Sequence, residues 1–174
     1  MEVLDAILSR RSIRKYTDRP IDDETLHKIL AAGMAGPTAV NARPWSFVVV
    51  RDKETLNRMA EANGRAATPL KDAALGILIC GDLERAFARA PEYWVVDGAI
   101  AGQNMILAAQ GMGIGSVWLG TWPQQDKVEA QRALFGLPET QVPHSIIAFG
   151  YPAEDRSEAP HLDYEESRVH FEKW

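Results

Sequence analysis

The sequence predicts an α+β fold with a small central sheet, because helical segments and short β-branched segments alternate along the chain. The predicted strands cover residues 46–50, 74–80, 116–119 and 145–149. The predicted helices cover residues 2–10, 53–63, 95–110 and 126–135, and a further helix begins at about residue 22. The chain has 174 residues, of which 46% are hydrophobic, so it can form one domain, residues 1–174, with a sizeable core.

The helix predictions depend on caps and on the spacing of apolar residues. Asp22 and the two acidic residues after it supply an N-cap and an acidic first turn. Pro37, preceded by two glycines, ends that helix before a loop. Residues 95–110 are apolar on nearly every side, so their helix is buried in a core or in a subunit interface. Residues 64–72, between a helix and a strand, are predicted to be a mobile loop.

The composition argues against several classes of protein. A net charge of −5 and a pI near 5.4 argue against a dedicated nucleic-acid-binding domain, which is usually basic. The single cysteine, Cys80, cannot form a disulfide within the chain, which favours a reducing compartment. The first residues lack the basic region of a signal peptide, and polar residues interrupt the longest apolar stretch, about 95–115. We therefore expect a cytoplasmic protein that neither crosses a membrane nor binds nucleic acid.

A basic segment, SRRSIRKY at residues 9–16, is unusual in this acidic chain. Arg10 and Arg14 are one helical turn apart, so their guanidinium groups converge if the helix continues. Guanidinium groups beside the Ser12 hydroxyl suit a phosphate, because they are permanently charged, forked donors. Two other interpretations stay open: a solvated helix end, where cations favour the C-terminal dipole, and a nucleic-acid patch.

No other motif indicates covalent or metal chemistry. The glycines at 111, 113 and 115 follow a helix, whereas a dinucleotide fingerprint must follow a strand, so a plain turn explains them at least as well. The four histidines have no ligand spacing with Cys80 or with one another, so no metal site is predicted. No ordered catalytic triad can be assigned. We therefore predict no catalytic side chain and expect the reactivity to come from a cofactor.

Five segments, in order, resemble those of the FMN-dependent nitroreductases, and in particular of the short members of that family. They are the basic segment, PTAVNARPW at residues 37–45, Gly81-Asp82, DGAIAGQN at 97–104 followed by GIGSVWLG at 113–120, and RVHFEKW at 168–174. The resemblance implies a nitroreductase-like fold with a small mixed central sheet flanked by helices. It also implies a domain-swapped homodimer, in which the C-terminal tail, about residues 151–174, reaches the partner subunit.

The resemblance assigns roles in binding FMN. Arg10, Arg11 and Ser12 would bind the phosphate, and Arg14 would reach the ribityl chain or the N1/O2 edge of the isoalloxazine. A cation at that edge stabilises the anionic reduced flavin and raises its reduction potential. The loop at 37–45 would contact the flavin bound mainly by the partner subunit, through Pro37, Thr38, Ala39 and Asn41. Along the ring, with a backbone N–H near N5, would lie Trp118, Leu119 and Gly120.

Two positions depart from the pattern of the family. Arg43 stands where many relatives have Gln, and the added cation would alter the preference for substrate charge. Relatives usually place a basic residue shortly before the final segment, but residues 161–164 read HLDY. Arg168 is the remaining candidate for that contact with the phosphate; otherwise the N-terminal arginines hold the phosphate alone.

The resemblance implies a homodimeric FMN oxidoreductase that uses NAD(P)H to reduce nitroaromatic, quinone or related acceptors by a ping-pong hydride mechanism. One alternative is specialised flavin chemistry on the same scaffold, such as dehalogenation or flavin fragmentation. Another is a non-catalytic flavin-binding regulatory protein, and the last is an acidic α+β binding domain without flavin.

Overall fold

The structure is a computed structural model that describes residues 1–154 and 164–174. Within these residues the helices and strands are α1 (Val3–Ser9), α2 (Asp23–Met34), β1 (Trp45–Val50), α3 (Lys53–Asn63), β2 (Leu75–Asp82), α4 (Tyr93–Gly111), β3 (Gly115–Gly120), α5 (Gln125–Phe135) and β4 (Gln141–Gly150). Helices and strands interleave as predicted, so the α+β fold is confirmed. None of these helices is long and apolar enough to cross a membrane.

The four strands form one sheet in the order β1-β2-β4-β3, and all three strand pairs are antiparallel. We predicted a mixed sheet, but among the described residues parallel pairing occurs only in an isolated bridge between Ser12 and Ser116. Strands buried on both faces are typical of parallel sheets. Here helices cover both faces of an antiparallel sheet, which produces the same sequence pattern.

Side chains of β2 alternate between two cores, one on each face of the sheet. Leu78 lies in the core that α3 and α5 cover, and Ile79 lies in the core that α2 and α4 cover. Gly33 lets α2 approach α4 closely, since a Cβ at that position would lie 2.3 Å from the Cε atom of Met105. Helix α4 is therefore buried along its inner face, as its apolar composition predicted.

Residues 64–72 are not the mobile loop that we predicted. They contain a 3₁₀ segment, Arg65–Lys71, in which Ala67 and Leu70 are fully buried. Their spacing of three residues places both on one face of a 3₁₀ helix, which packs into the core beside α3. The prediction was wrong because the polar residues and Gly64 hid two apolar contacts that only packing against α3 reveals.

The predicted C-terminal tail, residues 151–174, is described only in part. Residues 155–163, which include His161, lie outside the described residues. Residues 164–174 contain one short 3₁₀ segment, Glu166–Arg168, and expose Phe171 and Trp174. The reach of this tail to a partner subunit, and the assignment of residues 1–174 to one domain, stay predictions.

Candidate functional site

A cavity of about 500 Å³ lies between the basic segment, the 3₁₀ segment at 65–71 and β3, and we call it the basic groove. Arg14, Lys15 and Arg65 line it together with one carboxylate, that of Asp72. Lys15 is paired with Glu154 at 2.6 Å. Arg14 and Arg65 therefore supply the positive charge that an anionic ligand in this groove would meet.

The outer edge of β3 faces the basic groove. β3 is the last strand in the sheet order, so among the described residues only β4 pairs with it along its length. In an antiparallel strand the N–H and C=O of one residue point to the same side, and successive residues alternate. Ser116 O accepts a hydrogen bond from Ile13 N at 2.9 Å, so the backbone groups of Ser116 lie on the outer edge. Those of Trp118 and Gly120 point the same way, and both residues line the groove.

The basic segment leaves α1 and continues beside this edge, through the bridge between Ser12 and Ser116. Arg11 Nη1 donates to two neighbouring carbonyl oxygens at the end of α1, at 3.1 and 2.9 Å. Arg11 is therefore a cation at a helix C-terminus, which was one of the open interpretations. Arg14 Nη1 donates to Ser12 O at 3.3 Å, and Arg14 is the arginine of this segment that lines the groove.

A second cavity, of about 410 Å³, lies between the loop at 37–45 and α4, and we call it the apolar pocket. Pro37, Thr38 and Ala39 line this pocket with apolar side chains of α4, such as Ile100. Among the described residues, none lines both cavities. The two groups of predicted flavin contacts are therefore separate within one described chain.

The loop beside the apolar pocket has an unusual backbone. Val40, Asn41 and Arg43 have φ angles of 48°, 56° and 53°, in the left-handed region that costs a non-glycine residue free energy. Asp97 of α4 anchors the loop, because its Oδ1 accepts a hydrogen bond from Ala39 N at 3.0 Å. Backbone strain persists only where surrounding contacts hold it, and such sites are often functional.

The burial of the Asp97 carboxylate costs free energy. Its side chain belongs to a residue that is only 3% exposed, and among the described residues Oδ2 has no hydrogen-bond partner. Burial raises the pKa of Asp97, and the hydrogen bond from Ala39 lowers it by less. Burial therefore makes the ionised carboxylate more costly than it would be in water.

Aromatic packing holds Trp118 on the α4 face of the sheet. Its ring lies against Gly102, where a Cβ would come within 2.3 Å of Trp118 Cζ3. The ring of His144 meets those of Trp118 and Trp94 edge-on, with centroids 5.8 and 5.7 Å apart. Burial lowers the pKa of His144, which favours the neutral ring. The side chain of Leu119 lies in the opposite core, beside the 3₁₀ segment at 65–71, and Leu119 also lines the groove.

The structure brings together some of the predicted contacts and separates others. The basic groove is lined by Arg14, Trp118, Leu119 and Gly120. The apolar pocket is lined by Pro37, Thr38 and Ala39. Neither cavity is lined by Arg10, Arg11, Ser12, Asn41 or Arg168. Arg168 is exposed in the tail, where its Nε donates to Glu165. The roles in flavin binding stay predictions for all of these residues.

Sequence reasoning missed one wall of the basic groove. Arg65, Thr68 and Asp72 line it, but they belong to the segment that we interpreted as a mobile loop. The apolar spacing of Ala67 and Leu70 was the available signal, since it indicates an ordered turn that could present the polar residues between them.

We predict that Asp97→Asn changes how stability depends on pH, because asparagine still accepts from Ala39 N but cannot ionise. With a raised pKa, the contribution of Asp97 to folding is fully present below its unfolded value of 3.8 and is lost as pH rises through the higher folded value. The variant lacks this loss. Its unfolding temperature relative to the parent protein should therefore rise between about pH 3 and about pH 7.

Asp52→Asn is the matched control, because hydrogen bonds from Thr55 lower the pKa of Asp52. The contribution of Asp52 is present above its unfolded pKa and is lost as pH falls through the lower folded value. The unfolding temperature of this variant relative to the parent should fall over the same interval. Calorimetry measures both differences, and the same sign in the two variants would contradict the assignment of Asp97.

Comparison with known proteins identifies the family. The sequence model of the "Nitroreductase family" matches residues 7–82 and 64–151. A protein of Methanothermobacter thermautotrophicus named "Putative NADH dehydrogenase/NAD(P)H nitroreductase" is 46% identical over 174 residues, which are 100% of this chain and 88% of the relative.

Solved structures agree with the sequence comparison. An "FMN-dependent Nitroreductase" from Clostridium difficile superposes with a TM-score of 0.89 at 30% identity, covering 98% of this chain and 99% of the other. An "NADPH:FMN oxidoreductase" from Vibrio harveyi, in complex with NAD⁺, superposes with a TM-score of 0.85 at 30% identity, covering 99% of this chain and 77% of the other. Sequence and fold therefore lead to one conclusion, that this chain belongs to the nitroreductase family.

Proposed function

We propose that this chain is an FMN-dependent NAD(P)H oxidoreductase that reduces small nitroaromatic, quinone or related acceptors. The names of its relatives, which include FMN, NADPH and NAD(P)H, support this proposal. The observation that carries it is the basic groove, which Arg14 and Arg65 line together with residues of β3. Such a groove offers cations and backbone donors to one ligand, which is the combination that a flavin nucleotide requires.

The residues of the basic groove fit FMN in size, charge and hydrogen bonding. A volume of about 500 Å³ lies within the range of small-molecule sites. The outward N–H groups of Trp118 and Gly120 are donors of the kind that the acceptor atoms of an isoalloxazine need. When bound, FMN supplies the acceptance and donation of hydride, and the chain binds and orients it.

The arginines of the basic segment bind two different parts of FMN, the phosphate and the ribityl chain or ring. Arg10, Arg11 and Ser12 hold the phosphate, where forked guanidinium donors and a hydroxyl match its oxygens. Arg14 lines the groove itself and serves the ribityl chain or the N1/O2 edge of the ring. A cation at that edge stabilises the anionic reduced flavin, so Arg14 would raise the reduction potential.

Arg10→Ala should weaken FMN binding by about 1.5–3 kcal/mol, the usual contribution of a charge-assisted hydrogen bond. Fluorescence titration of FMN into the flavin-free protein at fixed salt measures the change. Arg58→Ala is the matched control, because Arg58 is an exposed arginine of α3 that lines neither cavity. Equal affinities in the parent and in Arg10→Ala would remove Arg10 from the site.

We further propose a domain-swapped homodimer in which each flavin site is composite. The loop at 37–45 borders a pocket that is separate from the basic groove of its own chain, so its residues would contact the flavin of the partner subunit. Large apolar side chains are exposed on α1, on α4 and in the tail, among them Val3, Leu4, Tyr93, Val96, Phe171 and Trp174. Exposed apolar surfaces of this kind are often covered by association.

Sedimentation at micromolar concentration should show a flavin-loaded dimer, because an obligate dimer buries more than about 2,000 Å² of surface. Dilution should release flavin and separate the subunits together, since each site needs residues from both chains. A stable monomer that retains its flavin would contradict both the dimer and the composite site.

One open site on the flavin explains how two substrates are served without a second nucleotide-binding motif. The glycines at 111–115 join α4 to β3, so they form a helix-to-strand turn and not a dinucleotide fingerprint. We therefore propose that NAD(P)H and the acceptor occupy the same face of the flavin in turn. The chain supplies the walls of that site and needs no side chain that transfers a proton.

Anaerobic steady-state kinetics should give parallel lines in double-reciprocal plots, with nucleotide and acceptor each competing against the other. Stopped-flow reduction of the bound flavin by NADH or NADPH, without acceptor, measures the first half-reaction. Intersecting lines would require a ternary complex and two separate sites. A flavin that neither nucleotide reduces would favour a passive flavin-binding protein instead.

A further inference from the structure

Two buried polar side chains lie beside the end of β3. Asn63, the last residue of α3, is 1% exposed, and its Nδ2 donates to Gly120 O at 3.1 Å. Thr121 is fully buried, and its Oγ1 donates to Asn63 Oδ1 at 2.8 Å. We call these two side chains the latch. It joins α3, which leads into the 3₁₀ wall of the basic groove, to the strand on the other side of that groove.

The latch restrains a residue whose backbone is intrinsically flexible. A Cβ at Gly120 would meet no atom within 4 Å, so close packing does not require glycine there. Glycine also has access to more backbone conformations than any other residue. Gly120 is the last residue of β3, and two residues further on the chain is tied to β4 again, because Trp122 N donates to His144 O at 2.9 Å. Between these ties, the hydrogen bond from Asn63 restrains Gly120 O itself.

Strand geometry passes this restraint to the donor that faces the groove. The N–H and C=O of one residue in an antiparallel strand point to the same side. The hydrogen bond to Gly120 O holds the peptide plane between Gly120 and Thr121, and the pairing of Leu119 with Ile146 holds the strand before it. Gly120 N–H lies between these two anchors, so the hydrogen bond from Asn63 helps to keep it in its strand orientation. Because Gly120 lines the basic groove, this N–H belongs to the surface that a bound ring would contact.

We propose that Asn63 and Thr121 are positioning residues, which hold Gly120 so that its N–H is aimed at the flavin ring in the basic groove. This inference rests on the proposed function. A buried amide that satisfies both of its polar ends is costly to assemble and rigid once complete. Because Asn63 binds Gly120 O, this rigidity acts on a residue that lines the basic groove. Neither residue touches the groove itself, so both act through the backbone.

An N–H aimed at an acceptor of the oxidised ring stabilises oxidised flavin more than reduced flavin, since the reduced N5 carries hydrogen and no longer accepts. Asn63→Leu and Thr121→Val remove the latch but keep similar shapes. Each should weaken the binding of oxidised FMN about tenfold, which corresponds to the loss of one aligned hydrogen bond. If binding of the reduced form is unchanged, the two-electron potential rises by about 30 mV.

Two further variants separate positioning from stability. Thr121→Ser keeps the hydroxyl and should keep both the FMN affinity and the potential of the parent. Gln131→Met removes a comparable buried hydrogen bond, because Gln131 Nε2 of α5 donates to Met59 O at 2.8 Å. Met59 belongs to α3, the helix that ends at Asn63. Gln131 is fully buried and lines neither cavity. The Gln131→Met variant should have a lower unfolding temperature but the same FMN affinity and the same reduction potential as the parent.

The measurements are FMN affinity by fluorescence titration, the reduction potential by equilibration with a reference dye, and the unfolding temperature. Lower affinity and a higher potential in Asn63→Leu and Thr121→Val, but not in Gln131→Met, support the latch. If all three variants lower only the unfolding temperature, the latch is structural and the inference is overturned. If Asn63→Leu does not fold, the test is the comparison of FMN affinity and reduction potential between Thr121→Val and Thr121→Ser. Equal values in these two variants would overturn the inference. A parent protein that binds no FMN would overturn the proposed function, and this inference with it.

Discussion

The outer edge of β3 is the constraint on which the candidate site depends. Backbone groups that leave water need partners, and β4 supplies them on one side of β3 only. On the other side, Ile13 satisfies Ser116 O, and Asn63 satisfies Gly120 O. The N–H groups between these two contacts face the basic groove. One incompletely paired strand therefore contacts the basic segment and the end of α3, and it also presents the donors of the groove.

Charge is distributed to match this edge. The chain has a net charge of −5, yet arginines gather around the groove from two elements that are far apart in sequence, the basic segment and the 3₁₀ segment at 65–71. A local positive field in an acidic protein attracts an anionic ligand while the rest of the surface does not compete for it. Arg11 contributes less directly, because it also caps the carbonyl end of α1.

The loop at 37–45 contains backbone strain and is anchored by a buried carboxylate, and both cost folding free energy. Its left-handed Val40, Asn41 and Arg43 are strained, and its anchor, Asp97, is a buried carboxylate with one oxygen unpartnered among the described residues. Strain and an unpaired buried acceptor both lower stability, and both occur beside the apolar pocket. In the homodimer that we propose, this loop would contact the flavin in the basic groove of a second copy, and the costs of the loop would then serve the binding of that flavin.

The sequence by itself determined the order of the elements, because caps and apolar spacing are local. α3 occupies the predicted residues, Lys53–Asn63, and Asp52 caps it by accepting from Thr55 N. Only the tertiary structure decided the antiparallel pairing, the packing of residues 65–71 and the contact of Asn63 with Gly120. These depend on partners distant in sequence, 57 residues apart for that last contact, and no local pattern specifies which distant group a side chain meets.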